Sequence, residues 1–150
     1  MSAASTITTQ APSSLLAAAA LKAAVAAQLP ELVAIRRHLH AHPELSGNEH
    51  QTAALVAGEL RSLGWRVQEG VGRTGVLAEL GPEALTPLVA LRVDMDALPV
   101  EERSGVPYAS VHQGLMHACG HDIHTTVGLG VARILAPLAD QLTTRVRLLF

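Results

Sequence analysis

The 150-residue chain holds one cysteine, and one each of tryptophan, tyrosine and phenylalanine. A single cysteine cannot close an internal disulfide, so nothing ties the chain to an oxidising compartment. Aromatics at 2% leave no stacking platforms of the kind that hold single-stranded nucleic acids. Charge is also scarce: 16% of residues are charged, the net charge is -2 and the pI is near 6.4. That balance offers no field to attract nucleic acid or an anionic membrane, and neither is expected as a partner. No uninterrupted run of about 18 apolar residues occurs, so no transmembrane helix is expected. The alanine-rich start lacks the cationic opening of a secretory signal, and Lys22 interrupts its apolar run. The expected location is the cytoplasm.

What the chain does have is apolar bulk, 49% of its residues, enough for the core of one domain. Residues 1–13, rich in Ser, Thr, Ala and Pro, read as poorly ordered, and the alanines from about Ser14 favour a leading helix. A firmer helix is expected after Pro30, with Leu32, Ile35 and Leu39 on one face and Pro43 past its end. Asn48 and Gln51 have capping-box spacing and Gly64 suits a C-cap, which predicts a helix over Glu49–Leu63. The runs WRVQE, TGVLAEL, LVALRV and TRVRLLF read as strands, and the almost wholly apolar LVALRV as one buried on both faces. Ile123–Leu135 reads as a helix between the last two, despite Gly128 and Gly130. The expected class is therefore α/β, a mixed sheet flanked by helices. Because TRVRLLF reaches Phe150 without a turn or cap, the chain reads as part of something longer.

Two stretches carry chemistry. In LRVDMDALP, Asp94 and Asp96 follow a strand, where open α/β sheets place ligands, and residues two apart in extended chain share a side. Two turn-forming aspartates before Pro99 would read the same way. In GLMHACGHDIHTT, Cys119 and His121 flank Gly120. In extended backbone a thiolate and an imidazole so spaced converge on one metal, with room left by the glycine. A lone cysteine is more often a small buried hydrophobe, but Asp122, His117 and His124 beside it favour metal. His38, His40 and His42 alternate at a helix end, where i and i+2 residues face apart, so they read as capping and dipole partners. Arg92 reads as a buried partner for Asp94 or Asp96. Glu101 and Glu102 read as loop residues before Pro107.

The stretches RRHLHAHPEL, GVGRTGVLAEL, ALRVDMDALPVEERSGVPYAS and GLMHACGHDIHTT together resemble the motifs of metal-dependent N-acyl-amino-acid amidohydrolases, in order from about Ile35 to Phe150. That family includes hippurate and auxin-conjugate hydrolases and belongs to the aminoacylase and carboxypeptidase group of dinuclear metallopeptidases. The resemblance implies that residues 31–150 are the amino-terminal portion of a catalytic domain, with the lid or dimerisation domain outside this chain. It implies two divalent ions (zinc or manganese, or else nickel or cobalt), with Cys119 and His121 as ligands. Asp96 matches an orienting carboxylate. Asp94 replaces a ligand histidine of the wider group, so Asp94 and Asp122 are candidates for ligand or supporting roles. The general-base glutamate and further ligands would follow Phe150. The substrate implied is a small N-acyl amino acid, in an enzyme that can form a homo-oligomer, and the 150 residues alone should be inactive. The alternatives are a non-catalytic metal-binding module and an inert fragment.

Overall fold

The computed structural model describes residues 17–84 and 88–150; the expected disorder of residues 1–13 lies outside them. Its elements are α1 (Ala18–Ala41), α2 (His50–Ser62), β1 (Arg66–Val71), β2 (Gly75–Leu80), β3 (Leu88–Arg92), α3 (His121–Leu135) and β4 (Arg145–Leu149), with a 3-10 turn over Ala136–Gln141. The strands form one sheet in the order β1-β2-β4-β3, with β1/β2 and β2/β4 antiparallel and β3/β4 parallel. This is the mixed α/β sheet expected, and β3–α3–β4 is a parallel crossover.

Three local expectations change. Pro30 does not start a new helix: α1 runs through it from Ala18, forgoing one backbone bond. Contrary to expectation, α1 reaches the measure of a membrane-crossing helix by length and composition, although Lys22 interrupts its apolar run. It nevertheless packs on α3, where Arg133 bonds Gln28 and Glu31. At α2 the N-cap is Glu49, and no side chain caps it locally. Instead the Glu44 carboxylate, from before the helix, accepts the N–H groups of Gln51 and Thr52 at 3.0 and 2.8 Å. The other end follows the glycine expectation. Gly64 N–H donates to Arg61 O and Trp65 N–H to Leu60 O, the paired bonds of a Schellman motif.

The core lies between α2, α3 and one face of the sheet. Val76, Ala78 and Leu80 of β2 and Val146 and Leu148 of β4 alternate inward to meet Val56, Ala57, Leu60, Leu129 and Ala132. On the other face Arg147 bonds Glu79 at 2.8 Å, and this bond lowers the Glu79 pKa. Gly128 lets α3 sit on the sheet, because a Cβ there would stand 2.8 Å from Val93 and 2.9 Å from Phe150. The expected burial of LVALRV is not found. β3 is an edge strand of the described residues, and Val89, Ala90, Leu91 and Arg92 are exposed. An apolar run reports what a strand can bury, and here only β4 stands beside it.

Candidate metal-ligand site

β3 delivers the chain to the carboxyl edge of the sheet. Beyond it Val93, Met95 and Ala97 are buried, so Asp94 and Asp96 alternate to the other side. Both line one cleft of about 660 Å³ with Glu49, Arg73 and Phe150. Asp96 Oδ1 and its backbone oxygen stand 2.8 and 3.0 Å from Nδ1 of His121, the first residue of α3. Asp94 is engaged elsewhere. Its Oδ1 accepts from Arg92 at 2.7 Å, its N–H donates to His124 Nδ1 at 3.2 Å, and its backbone oxygen accepts from Thr125. Arg92 thus has the expected partner, but its side chain is 81% exposed rather than buried, because it extends from an edge strand.

The segment around Cys119 is not extended. Cys119 is exposed in a turn, Gly120 is left-handed at φ +83°, and His121 opens the helix. A Cβ on Gly120 would meet nothing within 4 Å, so the glycine supplies backbone conformation, not room. The helix begins two residues earlier than its apolar pattern suggests. That start presents His121 and His124 on one side, with ring centroids 6.4 Å apart.

The histidines of this stretch part company. His112 stands by His42, their rings 6.3 Å apart, and His117 is buried 6.5 Å from the ring of His40. His117 has no hydrogen-bond partner on either nitrogen. Burial lowers its pKa against the opposing charge of Asp122.

His40 departs from the expected role of capping and dipole partner. It is buried, with Nδ1 2.6 Å from Asp122 Oδ2 and Nε2 3.0 Å from Glu102 Oε1. Arg36, one turn back, stands 2.9 Å from the same Asp122 oxygen. Asp122 is fully buried, and its carboxylate meets His40 and Arg36 rather than lining the cleft. Glu102 lies in a loop as its sequence suggests, but its side chain is only 4% exposed. Burial would raise its pKa, but the Ser104 hydroxyl, the Ser110 N–H and His40 together hold it down to about 2. His38 and His42 keep the expected role, with His42 Nδ1 donating to the His38 carbonyl at 2.8 Å.

As a metal site this is partial. With Nδ1 of His121 held by Asp96, Nε2 is left as the donor, and carboxylate–histidine pairing of this kind is typical of metal ligands. Two residues away in sequence lies the exposed Cys119 thiol, and thiolate with imidazole is a donor combination suited to late divalent ions. Among the described residues no three His, Cys, Asp or Glu side chains gather into a closed site. The donors present fit a divalent ion in kind and fall short in number.

A model of peptidase family M20/M25/M40 matches residues 90–150, the part that holds every residue of this pair and its supports except those on α1. A probable hydrolase of Synechocystis is 59% identical over 123 residues, covering 81% of this chain and 31% of that protein. N-acetyl-L-cysteine deacetylase of Bacillus subtilis is 48% identical over 120 residues, covering 80% of this chain and 29% of its own length. Among solved structures, a dinuclear metal-binding peptidase of the M20 family from Bacillus subtilis superposes with a TM-score of 0.76 at 38% identity. That match covers 86% of this chain and 35% of the other. The chain spans about 30% of the length of these curated relatives.

Proposed function

We propose that this chain, which belongs to the M20/M25/M40 peptidase family, provides part of the metal-holding wall of an enzyme that hydrolyses the amide bond of small N-acyl amino acids. The observation that carries the proposal is the Asp96–His121 pair, two residues along the chain from the exposed Cys119 thiol and just past a parallel strand. Cys119 Sγ and His121 Nε2 would hold a divalent ion of a dinuclear pair, zinc or manganese or else nickel or cobalt. Such ions, when bound, supply Lewis-acid polarisation of the scissile carbonyl and acidify water. Asp96 engages Nδ1 of His121, leaving Nε2 as the nitrogen that would face the ion, and fixes the ring's rotation. Asp122 holds the helix that carries His121. Asp94 is committed to Arg92 and the His124 side and shapes the cleft next to the ligands. A general base and the remaining ligands would come from sequence outside these 150 residues. The proposed location is the cytoplasm, on the single cysteine, which can form no internal disulfide. A homo-oligomer is proposed for the whole enzyme only.

A chimera tests the proposal. Residues 31–150 replace the matching segment of the Bacillus N-acetyl-L-cysteine deacetylase, and hydrolysis of N-acetyl amino acids is measured with zinc or manganese added. Chelator-sensitive turnover that disappears with Cys119→Ala is the expected result, with none from the 150 residues alone. A folded chimera that binds no metal would contradict it.

A further inference from the structure

Between Val100 and Gly120 the chain forms only turns and an isolated bridge at Met116, yet it delivers Cys119. A ligand must be held to within about 0.5 Å by locked neighbours to bind metal well. Two buried carboxylates flank the ligand pair in sequence, Glu102 near the start of this loop and Asp122 just after His121. Both grip one imidazole, that of His40 on α1, at 3.0 and 2.6 Å. Exposure of the three side chains is 4%, 0% and 6% for Glu102, Asp122 and His40. Glu102 also accepts the Ser110 N–H at 2.6 Å, deep in the loop. Arg36 adds a second contact from α1 to Asp122.

We infer that His40 and Glu102 are positioning residues for the Cys119–His121 pair. His40 is a fixed post on a long helix, to which the incoming loop and the outgoing helix are both tied. The inference rests on the proposal that Cys119 and His121 hold metal. A network made for stability alone would be an odd choice, since buried ion groups are often replaceable by apolar packing without loss. What apolar packing does not supply is a directional bond to each side of the ligand pair.

Glu102→Gln removes one charge at constant size, and Glu102→Asp keeps the charge but shortens the reach, which serves where the first does not fold. Two readouts are taken on the 150-residue chain: cobalt titration followed by the sulfur-to-cobalt charge-transfer band, and amide exchange over Leu115–His124 without metal. Cobalt affinity is expected to fall about tenfold, the scale of lost outer-shell support. Exchange over Leu115–His124 is expected to quicken while that of α2 and β2 stays as it was. His40→Gln, which can still donate to one carboxylate, should lose less than His40→Ala. A folded variant with unchanged affinity and unchanged exchange would overturn the positioning role alone. No band in the unsubstituted chain would instead remove the ligand proposal and this inference with it.

Discussion

His121 is held by Asp96 through two acceptors at once, the carboxylate at 2.8 Å and the backbone oxygen at 3.0 Å from the same Nδ1. Ring orientation and tautomer therefore depend on one residue, four positions past the end of β3. Asp96→Asn leaves the backbone acceptor and the size of the side chain but removes the charge. Zinc affinity measured by competition with a chelating dye should fall by about tenfold or more, with the melting temperature little changed. Wild-type affinity would reduce Asp96 to a turn residue.

Glu102 makes stability depend on acid. Its folded pKa of about 2 lies below the ordinary 4.5, so the unfolded chain binds the extra proton in that interval. Its contribution is complete above about pH 4.5 and is lost as the pH falls toward 2. Denaturant midpoints at pH 6 and pH 3 should thus differ more in the wild type than in Glu102→Gln. An equal drop in both would show that Glu102 is not held in its charged form by the fold.

Much of this architecture is legible from residue order. The extent of α2 follows from a polar start near Asn48 and a glycine stop with its left-handed end, and Asp94 and Asp96 share a side because extended chain alternates. Glu44 could not be found as the cap of α2, because it acts from outside the helix across the chain's turn at Gly47. His40 was obscured by its neighbours: the alternation of His38, His40 and His42 shows that they face apart, not which one faces inward. The signal that would have helped is the pair of acidic residues, Glu102 and Asp122, flanking the Cys119–His121 motif. The exposure of β3 has no sequence signal, since an edge strand and a covered strand share one apolar pattern.

Gly128 tests the seat of α3. An alanine there would place its Cβ 2.8 Å from Val93 and 2.9 Å from Phe150. Overpacking of this kind typically costs about 1–3 kcal/mol, which exceeds the helix propensity gained from alanine. Chemical denaturation should show Gly128→Ala to be less stable. A gain in stability would mean that the helix does not approach the sheet as described.

The Schellman end of α2 joins Leu60 and Trp65, both buried in the core, and Trp65 Nε1 donates to the Ala132 carbonyl at 3.3 Å. Trp65→Phe keeps much of the apolar volume and drops that donor, leaving a buried carbonyl of α3 without its side-chain partner. Because the Ala136 N–H still bonds that carbonyl, a loss of about 0.5–1.5 kcal/mol is expected by urea unfolding. No loss would show that the bond across the core adds nothing.

The central claim is that Cys119 and His121 jointly hold a divalent ion, and X-ray absorption on the zinc-loaded chain examines it at the atoms concerned. A sulfur neighbour at about 2.3 Å together with an imidazole nitrogen at about 2.0–2.1 Å is the expected first shell. The sulfur should vanish in Cys119→Ala, and the imidazole in His121→Ala. A zinc shell of oxygen and nitrogen alone in the unsubstituted chain, unchanged by Cys119→Ala, would contradict the claim.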